Sequence, residues 1–367
     1  MGEKLGMAQV ASEPRCLACH ATPQALGDTA LARDERRFGV SCESCHGNAA
    51  KWLEPHKSQS WARLAPSEKQ ALQVQMGMNP LGNLRARARV CADCHVGSPA
   101  KPDENLPLRD VDHELIAAGH PRLTFEFGAY LANEPKHWTE KDQSADFEAR
   151  AWSLGQLASA EAALELLIDR AESQRNWPEL AENDCFACHH DLDRSAWRQA
   201  SSSKALGKLR LNRWYYNLVP LITDKPFALE SIDRTFAQGL PTGTETANEA
   251  KRLLASIRQA SASVEKSRYS PEILARLRTN LATRAAKGKD LGWDELEQIS
   301  LGIKAIVASE RAGSQADSGV ERLRRIDETA DALLQKLAFP ANATGPLGLR
   351  RTPEMERELI RLFESLR

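Results

Sequence analysis

The sequence predicts a mainly α protein in two parts: a front part of short helices and long loops, followed by a helical bundle. Three observations predict it. All eight cysteines and all nine histidines lie at or before residue 190, and the last 177 residues hold none. From residue 16 to about 145 the chain is dense in Gly, Pro, His and Cys, which keeps elements short. Beyond residue 144, apolar residues recur at helical spacing between Thr, Ser and Pro start signals, while strand signals are weak everywhere. The boundary is read at 198/199, giving parts 1–198 and 199–367.

Taken in order, residues 1–15 read as a loosely held arm. Short helices are expected at 66–75 and 112–119, the second with Asp112 as its cap or as a charge partner of the neighbouring His113. Residues 144–174 read as one long, Ala-rich helix with Ser144 as its cap, closed by Trp177-Pro178. Residues 206–222 read as a helix ended by Pro220. Residues 242–266 begin with Thr caps and carry an apolar stripe through Leu253, Leu254 and Ile257. Residues 270–287 place Pro271 at the first helical position. Helices at 290–312, 317–339 and 352–367 follow, the last capped by Thr352, with a loop at 339–350. The sum is a bundle of five or six helices.

The cysteines carry the chemistry. They form four pairs, each followed at once by histidine: Cys16, Cys19 and His20; Cys42, Cys45 and His46; Cys91, Cys94 and His95; Cys185, Cys188 and His189. CxxCH is the pattern of covalent haem c attachment. Two thiols at i and i+3 face one side of a turn and can bond the two vinyl groups, and the next residue puts an imidazole under the iron. A thioredoxin-like pair, zinc sites or four disulfides would also use these cysteines, but none explains a histidine after every pair. The cofactor call is therefore four haem c.

Five histidines remain: His56, His113, His120, His137 and His190. Their confinement to the motif-bearing part marks most of them as sixth ligands. The preferred distal set is His56, His113, His120 and His137. His113 and His120 are seven apart, so on one helix they share a face about 10.5 Å apart along the axis, suited to two neighbouring irons and not to one. His190 adjoins His189 and cannot serve the same iron. Met76 and Met78, in a Gly/Pro loop before the third motif, are lesser ligand candidates. Trp152 and Trp197 are candidates for packing on a porphyrin face or for plain core.

The segments CESCHG, PH at 55–56, CADCH, DHELIAAGHPRLTFEF, PKHW and CFACHHDL resemble the cytochrome c554 family of multihaem proteins, over roughly 16–195. The resemblance implies four haems in near-parallel and perpendicular pairs, most of them bis-histidine and one able to be five-coordinate. It implies His20, His46, His95 and His189 as proximal ligands and His120 as a distal one. Electrons in that family come from hydroxylamine oxidation. The helical tail departs from it, so this context does not transfer. Hydroxylamine oxidoreductases share related haem packing but carry a tyrosine crosslink, for which Tyr130, Tyr215, Tyr216 and Tyr269 offer no clear equivalent.

Lys plus Arg number 49 against 50 Asp plus Glu, a formal net charge of -1, with no long basic run, so no nucleic-acid partner is expected. No run of 18 apolar residues exists, so no transmembrane segment is expected. The start lacks a hydrophobic export core. Haem c attachment, an extracytoplasmic process, places the expectation at a periplasmic chain whose signal has been removed. Three functions are carried. The first is electron transfer to redox partner proteins, favoured by a histidine supply that fills every sixth position. The second is an oxidoreductase with one open haem acting on a small nitrogen compound or peroxide, with Arg122, Glu126 or Arg150 as distal groups. The third is a docking subunit whose helical half binds a partner or self-associates.

Overall fold

A computed structural model of the chain describes residues 1–27, 29–104, 106–122, 124–134, 136–140, 142–173, 177–189, 209–223, 227, 229–287, 291–314, 317–338 and 353–366. It is mainly helical, as predicted. Among the described residues there are sixteen α-helices, several 3-10 turns and no sheet; pairing of strand type is confined to isolated bridges such as Ser98 with Arg109. The chain divides into two compact units, Met1–Leu123 and Thr124–Arg367. The boundary read from the sequence, 198/199, lies outside the described residues.

The first unit holds seven helices: α1 (Pro14–His20), α2 (Ala30–Glu35), α3 (Cys42–His46), α4 (Gln59–Arg63), α5 (Pro66–Gln75), α6 (Leu84–His95) and α7 (His113–Ala117). Local chemistry starts them. The side chains of Thr29, Ser58, Asn83 and Asp112 each accept from the backbone N–H three residues on, satisfying a donor that a helix start leaves unpaired. α5 starts at Pro66, and Glu68 reaches back to the Ala65 N–H at 3.1 Å. The arm at 1–15 contains 3-10 turns at Glu3–Leu5 and Val10–Ser12. Much of what is buried in this unit is small: Ala18, Ala21, Ala25, Ala32, Ala88, Ala92 and Ala118 accompany Leu17, Leu84 and Leu115.

α7 is shorter than the sequence suggested. It ends at Ala117, and Gly119 at φ +106° turns the chain, so His120 stands beyond the helix with its N–H on the Leu115 carbonyl at 2.9 Å. The shared helical face expected for His113 and His120 therefore does not form. A left-handed glycine ends the helix before the second histidine is reached.

The second unit contains α8 (Phe127–Asn133), α9 (Phe147–Ser173), α10 (Val219–Ile222), α11 (Leu229–Ala237), α12 (Gly243–Lys266), α13 (Pro271–Lys287), α14 (Trp293–Gly313), α15 (Asp317–Leu337) and α16 (Pro353–Ser365). α9 is its axis, buried on nearly every side from Ala149 to Leu167. α12 lies along it and α14 crosses it; α13 and α15 flank α14, and α16 packs on α13 and α15. Small residues allow this closeness. A Cβ on Gly302 would stand 2.6 Å from the Trp152 indole, and one on Gly155 would stand 2.5 Å from the Phe127 Cβ. Polar rungs fix the register: Ala149 N–H donates to Ser309 Oγ at 2.9 Å, and Arg258 pairs with Glu161 and Glu165 at 3.1 and 2.7 Å.

Three details of the sequence reading change. α9 begins at Phe147, three residues after Ser144, whose carbonyl accepts the Phe147 N–H. Pro220 sits in the first turn of α10 and opens that helix instead of ending one, because its missing N–H is harmless there. α11 was not anticipated: nine residues give a stripe of only Leu229, Ile232 and Phe236, all buried. The expected loop at 339–350 and the Thr352 cap lie outside the described residues, as do His190 and Trp197.

Candidate haem sites

Each CxxCH motif sits at a helix end or on a tight turn, and each is fastened differently. In α1, Pro14 opens the helix, Cys16 and Cys19 fall on one face, and His20 ends it. The buried Arg109 side chain crosses from the 96–112 loop and donates Nε–H to the Ala18 carbonyl at 2.9 Å. Arg15 pairs with Asp112, tying α1 to the cap of α7.

In α3, a five-residue helix with few bonds of its own, the fastening comes from a later loop. Asn79 donates its N–H to the His46 carbonyl at 2.9 Å and its side-chain amide to the Cys45 carbonyl at 2.8 Å. Gly47 follows at φ +80°, and a Cβ there would stand 2.3 Å from the Gly77 carbonyl oxygen. The loop bearing Met76 and Met78 is thus pressed onto the second motif, with Met78 Sδ near Gln73 Nε2 at 3.7 Å.

The third motif closes the twelve-residue α6. The fourth lies in the second unit, on a 3-10 turn at Cys185–Ala187, where Asp184 Oδ1 accepts from the Phe186 N–H at 3.0 Å. A bridge from Asn183 to Leu211 and a buried Arg170–Glu182 ion pair hold this turn against α9.

None of the eight cysteines is joined in a disulfide. The second cysteines of the first and third motifs, Cys19 and Cys94, are hydrogen-bonded to each other. That bond, with burial, pushes the Cys19 thiol up, and the same bond brings Cys94 down to about 7 against the opposing effect of burial. Burial lowers the His95 imidazole. Among the described residues no group of three or more His, Cys, Asp or Glu is arranged to hold a metal ion directly. A thiolate zinc site would need such a group.

The histidines are more telling. The His20 and His120 rings lie 6.2 Å apart, centroid to centroid, at 72°. His120 Nδ1 is 2.8 Å from the Pro121 carbonyl oxygen. A carbonyl only accepts, so Nδ1 carries the proton and the Nε2 lone pair is left for a metal. His56 repeats the pattern: Nδ1 meets the Leu53 carbonyl at 2.7 Å and the Trp52 carbonyl at 3.1 Å. Tying Nδ1–H to a backbone carbonyl is the arrangement that orients and strengthens a ligating imidazole. His113 opens α7 next to its Asp112 cap. His137 lies in the second unit, exposed and edge-on to Trp138 at 5.0 Å.

These features fit haem c: paired thiols on one face, an imidazole at the next position, and, at the first motif, a second imidazole ring close by whose Nδ1 is tied to a backbone carbonyl. The first unit brings together the first motif, the third motif and His120, and separately the second motif, His56 and the Met76–Asn79 loop. Two of the three groups proposed for an open distal pocket are engaged elsewhere. Glu126 caps α8 with both oxygens, at 2.8 and 2.6 Å from the Gly128 and Ala129 N–H groups, and Arg150 pairs with Asp142 at 2.7 Å. Trp152 is core, packed on Gly302.

Three residues near the motifs escaped the sequence reading: Arg109, Asn79 and Trp52. Trp52 is buried, with its ring 6.3 Å from that of His46 and 5.3 Å from that of His56. Only Trp52 left a local signal, standing four residues before His56.

No curated protein and no solved structure matches the chain significantly. Residues 1–47, which carry the first two CxxCH motifs, match the family model described as cytochrome c554 and c-prime, and this supports a c-type cytochrome of the c554-like kind.

Proposed function

We propose that the chain is a tetrahaem electron carrier. Haem c bound at Cys16/Cys19, Cys42/Cys45, Cys91/Cys94 and Cys185/Cys188 supplies one-electron redox chemistry. The chain's part is to hold the irons and fill their axial positions. His20, His46, His95 and His189 serve as proximal ligands, and His56, His113, His120 and His137 as distal ones. The observation that carries this reading is the His20–His120 pair, ring centroids 6.2 Å apart with His120 Nδ1 2.8 Å from the Pro121 carbonyl oxygen. Two imidazoles filling both axial positions of one iron would leave no place for a substrate, which favours transfer over catalysis. The Cys19–Cys94 contact supports close approach of the first and third haems, the condition for passing an electron between them. The setting is periplasmic or otherwise extracytoplasmic, with redox proteins as donor and acceptor. No helix among the described residues is long and apolar enough to cross a membrane.

The test is a haem count by mass and pyridine haemochrome, followed by paramagnetic resonance of the oxidised protein. Four haems, all low-spin, are expected. His120→Ala should convert one haem to high spin. A high-spin signal in the unaltered protein that moves with cyanide or nitric oxide would overturn the carrier reading in favour of an open catalytic haem.

A further inference from the structure

The segment after the second motif is folded back onto it and held there. The Ala49 N–H donates to Glu43 Oε1 at 2.6 Å, and the Trp52 N–H donates to the Ala49 carbonyl at 3.2 Å. The His56 backbone N–H donates to the Trp52 carbonyl at 3.0 Å, and His56 Nδ1 reaches the same oxygen at 3.1 Å. Trp52 is thereby fixed by its own backbone between two imidazoles, tilted at 50° to His46 and edge-on at 79° to His56. It is only 6% exposed, and its indole Nε1–H is shut off from water with no hydrogen-bond partner among the described residues.

An indole N–H is a donor with no acceptor role, and burying it unpaired costs free energy that folding does not normally forgo. Buried tryptophans usually turn this edge to an acceptor. The acceptor must then belong to the group that occupies the space beside His46. On the reading above that group is a haem whose vinyl edge is consumed by Cys42 and Cys45. Its strong peripheral acceptors are its two propionate carboxylates. We propose that the Trp52 indole N–H donates a hydrogen bond to a propionate of the haem carried by Cys42, Cys45 and His46. This inference rests on the haem c reading of the second motif. Trp52 is a positioning residue. It anchors the carboxylate edge of that haem, orients His56 through its carbonyl, and offsets negative charge close to one iron.

Trp52→Phe keeps an aromatic ring and removes only the donor. In a spectroelectrochemical titration of the complete four-haem protein, one of the four potentials should shift downward. The uncompensated carboxylate then favours the more positive, oxidised iron. The other three potentials and the low-spin spectrum should stay in place. Four unchanged potentials would overturn the proposal. A second readout needs no variant: in the unaltered protein, a propionate bending band in the resonance Raman spectrum should move after full exchange into heavy water. Absence of any such movement, or an equal movement in Trp52→Phe, overturns it. The haem count separates the two failures, because an unmodified Cys42/Cys45 pair would sink the haem reading of this motif and not the role of Trp52 alone.

Discussion

The two units bury different things. In the second, large side chains pack on one another: Trp152, Leu277, Leu281, Ile299, Ile303, Leu333 and Phe363 belong to one continuous cluster. In the first, alanines are prominent in the interior, a small cluster gathers Leu17, Ala21 and Ala25, and large apolar side chains stand outside. Leu31 and Phe38 are each 69% exposed, and Val40, Leu53 and Val74 are exposed as well. Phe38 and Val40 lie between the first two motifs. Apolar exposure beside the motifs fits a surface meant for another apolar body. The haems proposed for the three motifs of this unit would be such bodies. The second unit is a bundle whose core is made of its own chain; on the proposed reading the first is a frame whose core its cofactors would complete.

The largest effect follows from that difference. If the chain is produced without haem attachment, the first unit should lose its protection while the bundle keeps its own. Hydrogen exchange read by mass spectrometry should show 14–95 exchanging at near-unfolded rates and α9, α12, α13 and α14 still protected. Its helices, seven residues or fewer apart from α5 and α6, are too short to persist without tertiary support. Equal protection in both units would break the comparison.

A smaller effect tests the bundle alone. Gly302→Ala places a methyl 2.6–2.8 Å from Cε2, Cζ2 and Nε1 of the fully buried Trp152. Overpacking of this sort costs about 1–3 kcal/mol, since neither α9 nor α14 has room to withdraw. The unfolding free energy of the bundle, read from its denaturant transition, should fall by that amount with the haem spectrum unchanged. A fall in both would mean that the units unfold as one.

The sequence made local features legible and left tertiary ones hidden, for physical reasons. Pro66, Pro271 and Thr242 mark helix starts because capping is satisfied within four residues, and the structure has helices starting there. The CxxCH motifs are legible because the bonds they make fix their spacing. His120 was identifiable as a candidate, but its place opposite His20 depends on the Gly119 turn and on Arg15 reaching Asp112 across nearly a hundred residues. Asn79 was not legible at all, and Trp52 left only its place four residues before His56. Their roles arise from loop closure over the second motif, which leaves no periodic trace. α9 read as a helix of the motif-bearing part, yet it is the axis of the bundle. Its all-round burial blurs the amphipathic stripe that would have announced its neighbours.

The smallest effect compares one device in both units. Thr242 caps α12 in a reciprocal box: its Oγ1 accepts the Glu245 N–H at 3.2 Å, and Glu245 Oε2 returns to the Thr242 N–H at 3.4 Å. Asp112 caps α7 by accepting the Leu115 N–H at 3.0 Å. The surroundings differ. α12 continues for 24 residues packed along α9, so Thr242→Ala should cost about 1 kcal/mol and fray one turn. α7 is five residues long, and Asp112 also holds Arg15 of the first motif. Asp112→Ala should therefore reach the iron that the His20–His120 pair is proposed to share, broadening or shifting one low-spin resonance while three stay sharp. Thr242→Ala should leave all four untouched. If the two caps behave alike, silent in the resonance spectrum and equal in denaturant, then Asp112 is only a cap, and the first unit holds its histidines without help from the chain's own polar contacts.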